Sequence, residues 1–220
     1  MARSGPRRGI GAGTRAAAAL LLVCAALWGR AGAAQTWFDG LVAQVNDEAI
    51  LASDITLEDA LFGAGRTYAD MDAEARRAVL GRLIDRRLLV LEAARFQVAV
   101  PSEAAVSDAV ARLERERPGP LGGFDPAVVR ERVRRKLWAD AFVQARIRAF
   151  VFIRDSQVDQ ALAEAGTPLP ESEAERAALE DKTRKALADR EAERRLQEYI
   201  ARLEGRATIR LYPLSGPAPS

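Results

Sequence analysis

The sequence predicts a mainly α fold in which a small antiparallel β-sheet joins the N- and C-terminal segments. Three observations lead there. Between residues 53 and 203 apolar residues recur at helical spacing, punctuated by Gly and Pro. Short alternating stretches stand near the two ends, at 41–51 and 207–212. A two-stranded hairpin is marginal alone, so the first stretch needs the second as a third strand.

The first 34 residues carry five Arg and no Asp or Glu. Arg3, Arg7, Arg8 and Arg15 form a basic segment, Ala16 to Trp28 an uncharged apolar one, and Ala31-Gly32-Ala33-Ala34 an A-x-A cleavage site. This is the layout of a secretory signal peptide over residues 1–34. A membrane span needs about 18 or more successive apolar residues, and Gly29-Arg30 interrupts this run sooner, so cleavage is expected rather than retention as an anchor. Val23 is too bulky to precede a lipid-modified Cys24, and Gly9-Ile10-Gly11 poorly continues a twin-arginine signal at Arg7-Arg8. General secretion is the expectation.

Removing those five arginines from a precursor of net charge +2 leaves −3 on the exported part. A mildly acidic chain does not suit a nucleic-acid binder, which needs a basic patch against phosphates. The single cysteine, Cys24, leaves with the signal, so neither disulfides nor thiol catalysis are expected, and packing alone must hold the fold. Histidine is absent, which removes Ser-His-Asp, Cys-His and His-zinc chemistry. The three lysines, Lys136, Lys182 and Lys185, lie among charged residues and read as solvated surface. No phosphate-binding glycine loop is present, since Gly122-Gly123 lacks the lysine and the spacing. No catalytic residue, metal site or cofactor is expected.

Asn46-Asp47 between two short apolar stretches predicts a tight hairpin over 41–51. Ser53 then reads as the N-cap of a short helix to Phe62, ended by Gly63 and Gly65. A second helix is expected from Asp72 to about Phe96, with Leu80, Leu83, Ile84, Leu91 and Ala94 inward and Arg82, Asp85, Arg86 and Glu92 outward. Ser102 caps the third, with Val106, Val110 and Leu113 on one face, and Pro118-Gly119-Pro120 stops it. Asp125-Pro126 opens the fourth, which runs to about Arg148 with Val129, Val133, Leu137, Ala141 and Phe142 inward. Phe150 to Ile153 is an apolar run too short for an element of its own, and Asp155 or Ser156 opens a further helix to about Ala165.

Gly166 to Glu171, with two prolines, reads as a linker. Ser172 and Glu175 suggest a capping box for a long charged helix to about Leu203, of which only the second half, with Leu196, Tyr199, Ile200 and Leu203, must pack. Ala207 to Tyr212 is the third strand, and residues 213–220 form a tail expected to be disordered.

The order of these segments resembles the SurA-type periplasmic chaperones, whose module belongs with the trigger factor and SurA peptide-binding folds. The resembling stretches are Val42 to Ile50 followed by Ser53-Asp54-Ile55, then Leu83 to Leu89, Phe96 to Glu103, Phe152 to Ser156 and Ala207 to Leu211. They cover about residues 40–165 and 190–212. The resemblance implies a helical chaperone module over 35–165, with the helix and strand at 172–212 packing back on it. Family members commonly carry parvulin prolyl isomerase domains before the terminal helix. Only Gly166 to Glu171 intervenes here, and a chain without His lacks the parvulin histidines. Isomerase activity is therefore not expected.

The expected function is that of an ATP-independent periplasmic holdase for unfolded or extended polypeptides, outer-membrane protein precursors in particular, with no nucleic-acid partner and no stable membrane insertion. Its cleft is expected among Phe62, Tyr68, Phe124, Trp138 and Phe142, each weighed against ordinary core packing. The alternative is an envelope adaptor that binds one defined partner through the long helix from 172 to 204.

Overall fold

The computed structural model describes Met1 and residues 39–213, other than 118, 120, 167–169 and 171. The signal segment 1–34, Trp37 and Phe38, most of the Pro/Gly linker and the tail from 214 lie outside the described residues. The protein is mainly helical, with one three-stranded antiparallel sheet of order β2-β1-β3.

Strands β1 (Leu41–Val45) and β2 (Glu48–Leu51) form the hairpin, and Asn46 supplies its left-handed turn residue at φ 52°. A register shift between Leu41 and Ala43 puts both Val42 and Ala43 into the core at 2% and 0% exposure. Strand β3 (Ile209–Leu211) pairs with the other edge of β1, Ala43 opposite Leu211 and Val45 opposite Ile209. Asn46 is again central here. Its N–H donates to the Thr208 carbonyl at 2.8 Å, and its side-chain oxygen accepts from the Thr208 N–H at 3.0 Å.

Helix α1 (Ala52–Phe62) begins one residue before the expected cap. Ser53 is not the N-cap, because its hydroxyl and N–H both go to the Asp39 carboxylate, while Asp54 accepts the Leu51 N–H at 2.9 Å. Gly63 closes the helix against Asp59, whose carboxylate would lie 2.2 Å from any Cβ placed there. Helix α2 (Ala73–Arg95) is capped by Asp72, which accepts the Ala75 N–H at 2.7 Å. Its buried stripe runs through Val79, Leu80, Leu83, Ile84, Leu88, Leu89 and Ala93. Leu91 and Ala94 are exposed and Glu92 is buried, the reverse of the expected faces. A helix of 3.6 residues per turn rotates away from a strict seven-residue step, so Ile84 continues to Leu88 and Glu92 rather than to Leu91.

Helix α3 (Glu103–Glu116) starts at Ser102, whose hydroxyl accepts the Ala105 N–H, and α4 (Pro126–Arg146) starts at Asp125 with Pro at N1, both as expected. Residues 148–150 then make one 3-10 turn, followed by α5 (Asp155–Glu164) and α6 (Glu173–Glu204). Two helix starts differ from the expected caps. Arg154, not Asp155 or Ser156, is the N-cap of α5, its N–H held by the Gln157 side chain at 3.0 Å. Ser172 occupies the N-cap of α6 without a side-chain cap bond, so the capping box with Glu175 does not form.

Two apolar cores result. The larger joins the sheet to α2, the second half of α4 and the end of α6, around Ile50, Leu83, Phe142 and Ile200. The smaller joins α1, α3 and the start of α4, around Leu57, Leu61, Val106, Val129 and Val133. Between them α1 buries two carboxylates, Glu58 paired with Arg86 and Asp59 with Arg66 at 3.3 Å, as burial of charge demands. The first half of α6 is also engaged, since α6 packs against α5, where Val158 and Leu162 are buried, and Arg184 pairs with Asp155 at 2.8 Å.

Candidate functional site

The five residues singled out from sequence divide between the two cores. Phe142 has no exposed surface; its ring lies 6.0 Å from that of Phe96 and 5.6 Å from that of Tyr199. It is a packing residue, because a client cannot reach a side chain enclosed on every side. Trp138 and Tyr68 pack at the edge of the same core. Trp138 donates its indole N–H to the Val98 carbonyl at 2.9 Å, and Tyr68 carries the Arg76 guanidinium 4.3 Å above its ring. Phe62 and Phe124 belong to the smaller core, with Arg86 lying 4.9 Å from the Phe62 ring.

Of the five, Phe124 lines a groove of substantial volume. The groove encloses about 630 Å³ between the C-terminal half of α3, the loop before α4 and the first turn of α4. Val110, Leu121, Phe124, Pro126 and Val129 form its apolar walls, and Glu114, Arg117 and Arg130 its rim. Local sequence explains the opening. Proline at 118 and 120 does not suit a continuing helix, Gly119 takes φ 109°, residues 121–123 form a turn, and Asp125 restarts the helix. The framework is pinned on both sides. Arg117 donates to the Gly63 carbonyl, and Glu103 takes Arg130 at 2.7 Å and also Arg134, which hold its carboxyl below the usual range. Such a groove can accept apolar side chains of an extended segment.

A second feature is one that helical spacing alone does not reveal. The run Phe150 to Ile153 turns Phe150 and Phe152 outward, at 58% and 80% exposure, while Val151 and Ile153 are half-buried. They stand beside α6, where two adjoining hollows of about 420 and 170 Å³ share Arg195. The backbone of the run is anchored, since Arg195 donates to the Phe150 carbonyl at 2.8 Å. Helical periodicity carries no information about a run of four residues. The one legible signal is its flanks, with Arg146 and Arg148 before it and Arg154 after it.

A third cluster sits where β2 meets α4: Arg87, Arg132 and Arg135 face Glu48, Asp54 and Glu131. Arg135 reaches Glu48 at 3.0 Å, and Arg132 pairs with Asp54. Three cations against three carboxylates leave no charge for a ligand, so this cluster staples hairpin to helix. Among the described residues no group of His, Cys, Asp and Glu is placed to hold a metal ion, and no helix is long and apolar enough to cross a membrane. No protein-family model and no curated protein matches this chain.

Proposed function

We propose that the protein is an exported, ATP-independent holdase, a SurA-like module without an isomerase domain, which binds unfolded polypeptides such as outer-membrane protein precursors. The observation that carries the reading is the open apolar groove around Phe124 between α3 and α4. Burying about 400 Å² of apolar client surface gives about 10 kcal/mol gross, most of it offset by association and by ordering of the client. Weak, broad and reversible capture is the consequence. The signal-like N-terminus and a chain without His support export and argue against parvulin chemistry.

The test is light scattering from a chemically unfolded β-barrel protein diluted with and without a stoichiometric excess of this protein. Slower aggregation that is lost in Phe124→Ser supports the reading, and unchanged aggregation refutes it. An adaptor role through α6 is the second reading, favoured by the exposed Phe150 and Phe152 beside that helix. It predicts that one partner is bound while several unrelated unfolded proteins are ignored.

A further inference from the structure

The face formed by α6 and the 148–154 segment differs from the rest of the chain in charge. Six arginines line its two hollows, Arg146, Arg154, Arg190, Arg194, Arg195 and Arg202, against two carboxylates, Glu191 and Glu198. Glu191 pairs with Arg194 at 2.7 Å and with Arg195 at 2.6 Å, and Glu198 pairs with Arg194. The other four cations meet no carboxylate among the described residues. Arg146 lies 4.2 Å from the Phe96 ring and Arg202 lies 5.3 Å from the Tyr199 ring, contacts that orient a guanidinium without neutralising it. Arg154 and Arg190 flank Phe152.

From Arg190 to Arg202 the helix advances about 18 Å, so the surplus charge forms a strip rather than a point. Phe150 and Phe152 project along that strip, two positions apart. A chain that carries −3 beyond residue 34 therefore places four cations without a carboxylate partner around its most exposed aromatic pair. Exposed aromatic rings enter the boundary between headgroups and acyl chains, and arginines beside them engage lipid phosphates.

We infer that this face is a peripheral docking surface for an anionic phospholipid bilayer, with Phe150 and Phe152 seated in the interface and Arg154, Arg190 and Arg202 on the phosphates. An extended strip with outward rings suits a plane better than a bound peptide, which would need walls around Phe152. The surface lies on other elements than the Phe124 groove and does not depend on the holdase reading. The protein adsorbs without spanning.

Flotation of the full chain with phosphatidylcholine vesicles, with and without about a third phosphatidylglycerol, tests this. The expected result is co-flotation with the anionic vesicles only, reversed by about 0.5 M salt because the Debye length then falls to a few ångströms. Phe150→Ser with Phe152→Ser, and separately Arg154→Glu with Arg190→Glu, should each lower partitioning at least about tenfold. Their melting temperatures should match the unaltered chain, since all four side chains are exposed. Equal flotation of both variants would mean that the apolar stretch 16–28 holds the membrane, and it overturns the inference. Indifference to phosphatidylglycerol, with retention on immobilised polyglutamate, also overturns it and assigns the strip to an acidic protein.

Discussion

Tyr199 of α6 donates its hydroxyl hydrogen bond to Glu92 of α2, across 107 residues of sequence. Burial, reinforced by that hydrogen bond and by the Glu92 charge, raises the Tyr199 pKa to about 12. Glu92 is 8% exposed and takes its other bond from Arg95 at 3.2 Å. Tyr199→Phe should therefore cost about 1–3 kcal/mol, the penalty for leaving a buried charged acceptor short of a partner. Urea denaturation reads it directly. Adding Glu92→Gln should make the two losses clearly non-additive, because both remove the same bond.

Phe142 and Phe124 separate packing from binding. Phe142→Ala opens a cavity at a fully enclosed site and should cost about 3–5 kcal/mol. Phe124→Ser, at a half-exposed groove wall, should cost much less stability while removing most of the aggregation suppression. Paired melts and scattering traces decide between them.

Deleting residues 206–220 removes β3 with its ladder to β1, including the Tyr212 N–H bond to the Val42 carbonyl at 3.0 Å. Several such bonds at about 1 kcal/mol each, with the packing of Ile209, approach the whole stability of a domain, about 5–15 kcal/mol. Deleting only 214–220 spares every described ladder contact and should leave the melting temperature unchanged. Equal melts for the two truncations would contradict the sheet.

Asp85 gives the fold its pH response near neutrality. Burial raises its pKa to about 6, and Glu204 adds repulsion that Arg86 only partly relieves. The folded state thus holds this proton more tightly than the unfolded chain, so the stabilisation is complete below about pH 4 and is lost as pH rises through 6. Melting temperature should rise from pH 7.5 to pH 5. Asp85→Asn should flatten that rise and add about 1–3 kcal/mol at pH 7.5. Asp59, Glu103 and Glu131, whose carboxyls are held below their usual range, act oppositely and only at lower pH.

Features set by one or two neighbouring residues were legible. The Asn46 turn, the Asp72 and Ser102 caps, and Asp125 with Pro126 all follow from local stereochemistry. Features set by distant partners were not. Ser53 has the right chemistry for a cap, but Asp39 claims its hydroxyl. Glu92 looks like an outward residue until Tyr199 arrives from the far end of the chain. The sheet was recoverable because its alternation is visible at both ends. Which aromatic rings stay uncovered depends on how α3, α4 and α6 come together, so helical spacing did not separate Phe124 at the groove wall from Phe142 inside the core. Phe150 and Phe152 show the converse, an apolar pair that the assembled helices leave outside.

The central strand of the sheet is drawn from the beginning of the folded region and one of its neighbours from the end, with Thr208 docking on Asn46. A polypeptide delivered in order, from a ribosome or through a pore, offers the hairpin first and its closing strand last. Until then one edge of β1 stands open, a template for pairing with another chain. Closure also waits on a contact of long sequence separation, which slows folding. The newly delivered chain is thus itself an incompletely folded polypeptide until Ile209 to Leu211 arrive, and this interval is when it is most exposed to misassembly.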